Sequence, residues 1–149
     1  MDCLQLLEEF MGTIKKYKDD FILMLESGFI AVNQADEDAA QKLFKAAELL
    51  DPENVLPKVG FGYLHLHKLE LKQAVKAFEG VLHKDPTNDM AKTFLGLCLS
   101  LSPNQVTKGE KILHQTEKSK DPLIKRLSST AIHFVDKFVK KTPGPAGKK

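Results

Sequence analysis
Tryptophan is missing from this 149-residue chain, arginine occurs once, at Arg126, and there are two cysteines, Cys3 and Cys98. Each scarcity excludes something. The cysteines show no Cys-x-x-Cys spacing and no partnered histidine pattern, so neither a disulfide framework nor a zinc site is expected, and Cys98 reads as a small core residue. Residues 1–104 hold 11 basic and 16 acidic side chains while residues 105–149 hold 11 and 4, yet ten of the later eleven cations are lysine. Base readout relies on the guanidinium fork, so this end reads as a solvated lysine face and tail, and no nucleic acid is expected as a partner. No apolar run approaches the ~20 residues of a membrane span, and Met1-Asp2-Cys3-Leu4 is acidic where a secretory leader is basic. The expectation is a cytoplasmic protein with no membrane partner.

Catalytic and cofactor signatures are equally scarce. His65 and His67 stand two apart on a predicted helix and diverge by about 200°, while His83, His114 and His133 stand alone, so no ligand set forms. Gly60-Phe61-Gly62 falls inside a predicted helix, which is the wrong context for a phosphate-binding turn. Asp36, Glu37 and Asp38 occupy a turn and helix start, where they oppose the positive end of the helix dipole. We expect no enzyme, no metal and no cofactor.

What the chain does contain is a repeat. A shift of 34 residues superposes Gly28 on Gly62, Ala40 on Ala74, Phe44 on Phe78, Asp51-Pro52 on Asp85-Pro86 and Asn54 on Asn88, and Phe61-Gly62 on Leu95-Gly96. That period is the length of one tetratricopeptide helix hairpin. Numbered from Phe21, Val55 and Asp89, the repeats place Gly28, Gly62 and Gly96 at position 8. The first repeat then has Ala40, Phe44, Ala47 and Pro52 at positions 20, 24, 27 and 32; the second has Ala74, Phe78, Val81 and Pro86. On these residues the chain resembles the tetratricopeptide-repeat family. Position 4, often Trp in that family, is Met24, Lys58 and Lys92 here.

Small residues at positions 8 and 20 let two helix backbones approach, and the aromatic at position 24 fills the wedge beside them. Each Asp-Pro is expected to start the next helix, with the Asp accepting first-turn amides and Pro at the first helical position. Helix pairs are predicted at 21–34 with 37–50, 54–67 with 71–84, and 88–101 with 105–119. The third closes two residues late at Asp121-Pro122, which points to Gly109 and Leu113 as its small and large residues. Stacked repeats expose an apolar face at each end. Leu4, Leu7, Phe10 or Met11, Ile14 and Tyr17 predict a separate N-terminal helix over 2–18, and Ile124, Leu127, Ala131, Phe134 and Phe138 predict a capping helix over 122–141. The expected architecture is all-α, with three hairpins (21–54, 55–88, 89–121) in a right-handed superhelix between these two helices. Residues 142–149 read as a disordered tail.

The resemblance implies a groove lined by positions 2, 5, 9 and 12 of each repeat. Those positions are Ile22, Leu25, Phe29 and Val32; Leu56, Val59, Tyr63 and Leu66; and Met90, Thr93, Leu97 and Ser100. Their apolar character suits the apolar face of a helix. The Lys and Asn with which some family members grip a chaperone's terminal carboxylates are missing at positions 5 and 9. The overall plan also resembles the small secretion chaperones of bacterial type III export. That resemblance implies a small secreted client, the needle subunit, held by its amphipathic helix, together with a second small helical co-chaperone. The alternatives are a translocator chaperone, whose repeats are richer in tyrosine than this chain with Tyr17 and Tyr63, and a general scaffold joining cytosolic proteins.

Overall fold
No proline lies between Cys3 and Asn33, and in the computed structural model, which describes residues 2–141, that stretch is one 31-residue helix, α1. The expected break near residue 19 does not occur: Asp19 and Asp20 cost a helix only tenths of a kcal/mol each, too little to stop it. The segment 2–18 is therefore not a separate cap folded over the first repeat. The helices that follow are α2 (Glu37–Leu50), α3 (Leu56–His67), α4 (Leu71–Lys84), α5 (Asp89–Leu101), α6 (Val106–Thr116) and α7 (Pro122–Phe134), and α7 runs into a π-helical turn, Val135–Val139. Among the described residues the chain is all-helical. The tail expected over 142–149 lies outside the described residues.

Helices pack mainly in chain-neighbour pairs, α1 with α2, α3 with α4 and α5 with α6, while α3 also reaches α1 and α2, and α7 lies against α5 and α6. Phe44, Phe78, Ala40, Ala47, Ala74 and Val81 are fully buried. The repeated glycines explain the closeness of the helices. A Cβ on Gly28 would stand 2.5 Å from the Phe44 ring and one on Gly62 would stand 2.7 Å from Phe78. Gly60 faces the same Phe44 ring, so that one side chain is flanked by glycines of two helices. In the third pair Leu113 replaces the phenylalanine against Gly96, and Gly109 meets the Ser100 backbone and hydroxyl, the small and large roles expected of them.

The helix starts differ from expectation. Asp36 does cap α2, accepting the Ala39 amide at 3.0 Å, and Asp121-Pro122 starts α7 with the Leu123 amide on Asp121 at 2.9 Å. Asp51-Pro52 and Asp85-Pro86, however, end the preceding helices and open a turn. The capping passes to the asparagines three residues on. Asn88 accepts the Ala91 amide at 2.9 Å and Asn54 the Leu56 amide at 3.0 Å, while Asp85 and Asp51 accept from the respective asparagine side chains at 3.2 and 3.3 Å. Asparagine serves both needs because its amide carries a donor and an acceptor. The capping helix buries Ile124, Ala131 and Val135, and a Thr116–Ser128 hydroxyl contact of 2.8 Å ties it to α6. Phe134 and Phe138 instead turn outward with their tilted rings 5.1 Å apart, since the buried stripe runs Ile124, Ser128, Ala131 and Val135 at spacings of four, three and four.

Lys68, at the end of α3, bonds Glu37 of α2 and Glu70 before α4, both at 2.6 Å, and His65 meets Glu70 at 2.9 Å. The hydrogen bond from Lys68, then that from His65, holds the Glu70 carboxyl below its ordinary value of 4.5. A depressed carboxyl stabilises the fold above its unfolded pKa and loses that contribution as pH falls through the folded value. Glu70→Gln should thus lower the Tm slightly at neutral pH, with the gap closing below pH 4.5. A gap that stays constant with pH contradicts this linkage.

The glycine contacts make a sharper prediction. Gly62→Ala forces the Phe78 ring to move and should cost about 1–3 kcal/mol. Gly80→Ala adds a methyl where nothing lies within 4 Å, and it should stabilise α4 by about 0.5–1 kcal/mol. Thermal melts of the two variants should move in opposite directions; a shared direction contradicts the packing.

Candidate functional site
Helix periodicity sorts the expected groove residues into two sets. Positions 5 and 12 of a repeat are seven apart, two turns, and so share one face. That face is inward. Leu25, Val32, Val59 and Leu66 are buried, as are Thr93 and Ser100, whose hydroxyls bond the carbonyls of Asp89 and Gly96 one turn back. Leu25, Val32, Val59, Thr93 and Ser100 are therefore core rather than groove, a correction to the expected lining. Helices α1 and α3 are packed on more than one side, so their inner stripe is consumed by neighbouring helices.

Five expected residues do come together. Phe29, Tyr63, Leu66, Met90 and Leu97 line an open pocket of about 570 Å³, joined by Asn33, His67, Phe94 and Leu127. Ile22, largely exposed, and Leu56, half-buried, lie away from it. Asn33 and His67 both fall at position 13 of their repeats, one turn beyond Phe29 and Tyr63, so positions 9 and 13 recur in the pocket face, while Met90 at position 2 and Leu66 at position 12 join it from one repeat each. The 34-residue period itself could have found that pair. Phe94 follows Thr93 directly and is half-buried on the pocket side of the same turn. Leu127 comes from α7, so the helix assigned only as a cap also walls the site.

The pocket floor is a chain of rings. Phe29 meets Phe44 edge-on at 5.3 Å, Tyr63 lies 5.6 Å from Phe29 and 5.3 Å from Phe94, and Phe94 stacks on Phe78 at 5.5 Å. Both ends of the chain are the buried phenylalanines of the glycine crossings. Tyr63 donates its hydroxyl to Asn33 Oδ1 at 2.7 Å, and burial pushes its phenol above the ordinary 10.0. The His67 ring sits 5.1 Å from Tyr63. Apolar walls with a few fixed polar groups suit recognition of an apolar side chain, with the hydroxyl and imidazole available to orient it. No group of three or more His, Cys, Asp or Glu converges as a metal site among the described residues. No helix of the described residues is long and apolar enough to cross a membrane.

Comparison of the chain with protein-family models, with curated proteins and with solved structures returned no match.

The two thiols differ sharply in setting. Cys3 is exposed, whereas Cys98 is buried in α5, where desolvation pushes its thiol up to about 12. Since the thiolate is the reactive form, a disulfide reagent at neutral pH should modify Cys3 quickly and spare Cys98 until denaturant is added. Two fast thiols in the native chain would contradict the packing around α5.

Proposed function
We propose that this protein is a non-catalytic binding module that holds the apolar face of another protein's helix in the pocket bounded by α1, α3, α5 and α7. One observation carries the reading: the aromatic floor through Phe29, Tyr63 and Phe94 stays open on one side, with Met90 at its edge. A protein interior that only needed filling would close over such rings. The pocket volume of about 570 Å³ falls within the ordinary range of ligand sites, roughly 300–1,000 Å³. That space suits the anchor side chains of one or two turns, in the manner of a helix laid in a groove.

In this reading the helix pairs stack as tetratricopeptide-type hairpins, with the first helix of each pair on the inner side of a superhelix. The 34-residue recurrence of the Gly28–Phe44 and Gly62–Phe78 contacts supports that arrangement. The client we assign is a small, aggregation-prone secreted subunit, specifically the needle protein of a type III export system, kept monomeric in the cytoplasm until export with the help of a second small helical chaperone. Support for this finer assignment is the helix order and the apolar site. Masking an amphipathic helix removes the surface through which such subunits assemble, and no nucleotide is required.

Tyr63→Glu and Met90→Glu place a charge where a client helix must desolvate it, and each should weaken binding by about 2–4 kcal/mol. Both should keep the wild-type circular dichroism, while Phe78→Glu should unfold and Leu123→Glu, on an exposed surface, should behave as wild type. Recovery from native cytosol followed by mass spectrometry reads the result. A small helical client lost from both groove variants supports the chaperone reading; large folded partners would favour a scaffold, and unimpaired binding would rule out the pocket.

A further inference from the structure
The N-terminal half of α1 is a helix whose core face has outrun its partner. Phe21, Leu25 and Val32 bury that face against α2, but α2 ends at Leu50 while α1 continues back to Cys3. The uncovered length, residues 3–20, is about 27 Å. Along it the buried stripe continues without change of phase, because Leu4, Leu7, Met11, Ile14, Lys18 and Phe21 alternate by three and four residues, the seam of a coiled coil. The four apolar members before Lys18 range from 46 % exposed at Ile14 to 66 % at Leu4. A stripe of that length is far more than an ordinary surface leaves open.

Its charge pattern indicates what covers it. Asp2, Glu8 and Glu9 make the first part acidic and Lys15, Lys16 and Lys18 make the next part basic, with Asp19 and Asp20 closing the segment beyond the ends of the central charged blocks. The segment is therefore complementary to itself when two copies run antiparallel and self-repelling when they run parallel. We propose that the overhangs of two copies of this chain pair antiparallel, each taking the place beside α1 that α2 leaves empty. With Met11 opposite the partner copy's Ile14, the same register sets Glu8 beside Lys15 on both sides of the two-fold axis and lays the Lys18 stem along Leu7. It also directs Leu4 toward a notch of about 370 Å³ formed by Ile14, Tyr17, Lys18, Phe21, Leu50 and Asp51 of the other copy. With the flanking Phe10 and Tyr17, the contact covers on the order of 700 Å² per copy, close to the ~800 Å² of a stable interface. This pairing does not depend on what occupies the pocket.

Sedimentation equilibrium of the full chain from micromolar to near-millimolar concentration tests it. The wild type should sediment at twice the chain mass. Leu7→Glu and Met11→Glu, whose side chains lie outside the core, should be monomeric with unchanged circular dichroism. Glu8→Lys and Lys15→Glu should each weaken self-association at least tenfold, and an equimolar mixture of these two variants should recover it, since both pairs are then restored across the interface. Mild oxidation adds a direction test. Cys3 of one copy lies about 28 Å along the antiparallel pair from Cys3 of the other, so the dimer should not cross-link, whereas a parallel pair would do so readily. The proposal is overturned by a monomeric wild type, by a dimer indifferent to these substitutions, by efficient Cys3 cross-linking, or by a monomer that spends this stripe on a different helical protein.

Discussion
A phenylalanine ring can lie against a helix backbone only where the residue beneath it has no Cβ, and this condition fixes how α1 to α4 assemble. Phe44 occupies the space left by Gly28 and Gly60, and Phe78 that left by Gly62. Because the rings set the spacing and rotation of the helices, they decide which side chains of α1 and α3 face inward and which remain available. They also reach the site directly, since Phe44 touches Phe29 and Phe78 touches Phe94. The pocket floor is thus continuous with the packing that holds the fold together.

The connections repeat as faithfully as the crossings. Ala35, Leu69 and Asn104, each after the first helix of a pair, adopt positive φ of 59°, 58° and 63°. Asparagine accepts that conformation at little cost, whereas leucine and alanine do not. The first two loops have neighbouring ties instead: Lys68 bridges Glu37 and Glu70, and the amides of Asp36 and Glu70 bond carbonyls of Ala31 and His65 at 2.9 Å. Strained turns held in this way keep paired helices antiparallel and close, so the edge of the pocket inherits a fixed geometry.

The repeat was readable because Gly28, Phe44 and their counterparts are demanded by sterics, and steric demands leave residue types in fixed positions. Gly109 and Leu113 were readable for the same reason despite the longer third loop. The α1 overhang was not. Two aspartates look like a boundary, but helix continuity depends on propensities summed over many residues and on the absence of proline. The pocket lining was half legible. Family spacing named Phe29, Tyr63, Leu66, Met90 and Leu97, but exposure at positions 5 and 12 depends on neighbouring helices that local periodicity does not describe. Leu127 was beyond reach because only tertiary packing brings α7 to the site.

The central claim is that the open side of the aromatic floor is where a partner helix sits. Site-specific photo-cross-linking tests it most directly, with a photoreactive side chain at Met90, on the pocket edge, and at Leu49, which is 83 % exposed on α2 outside the pocket lining. In native cytosol, the account predicts a discrete adduct with one small helical protein from position 90 and none from position 49. Adducts from position 49 alone, or the same adduct from both positions, would contradict it.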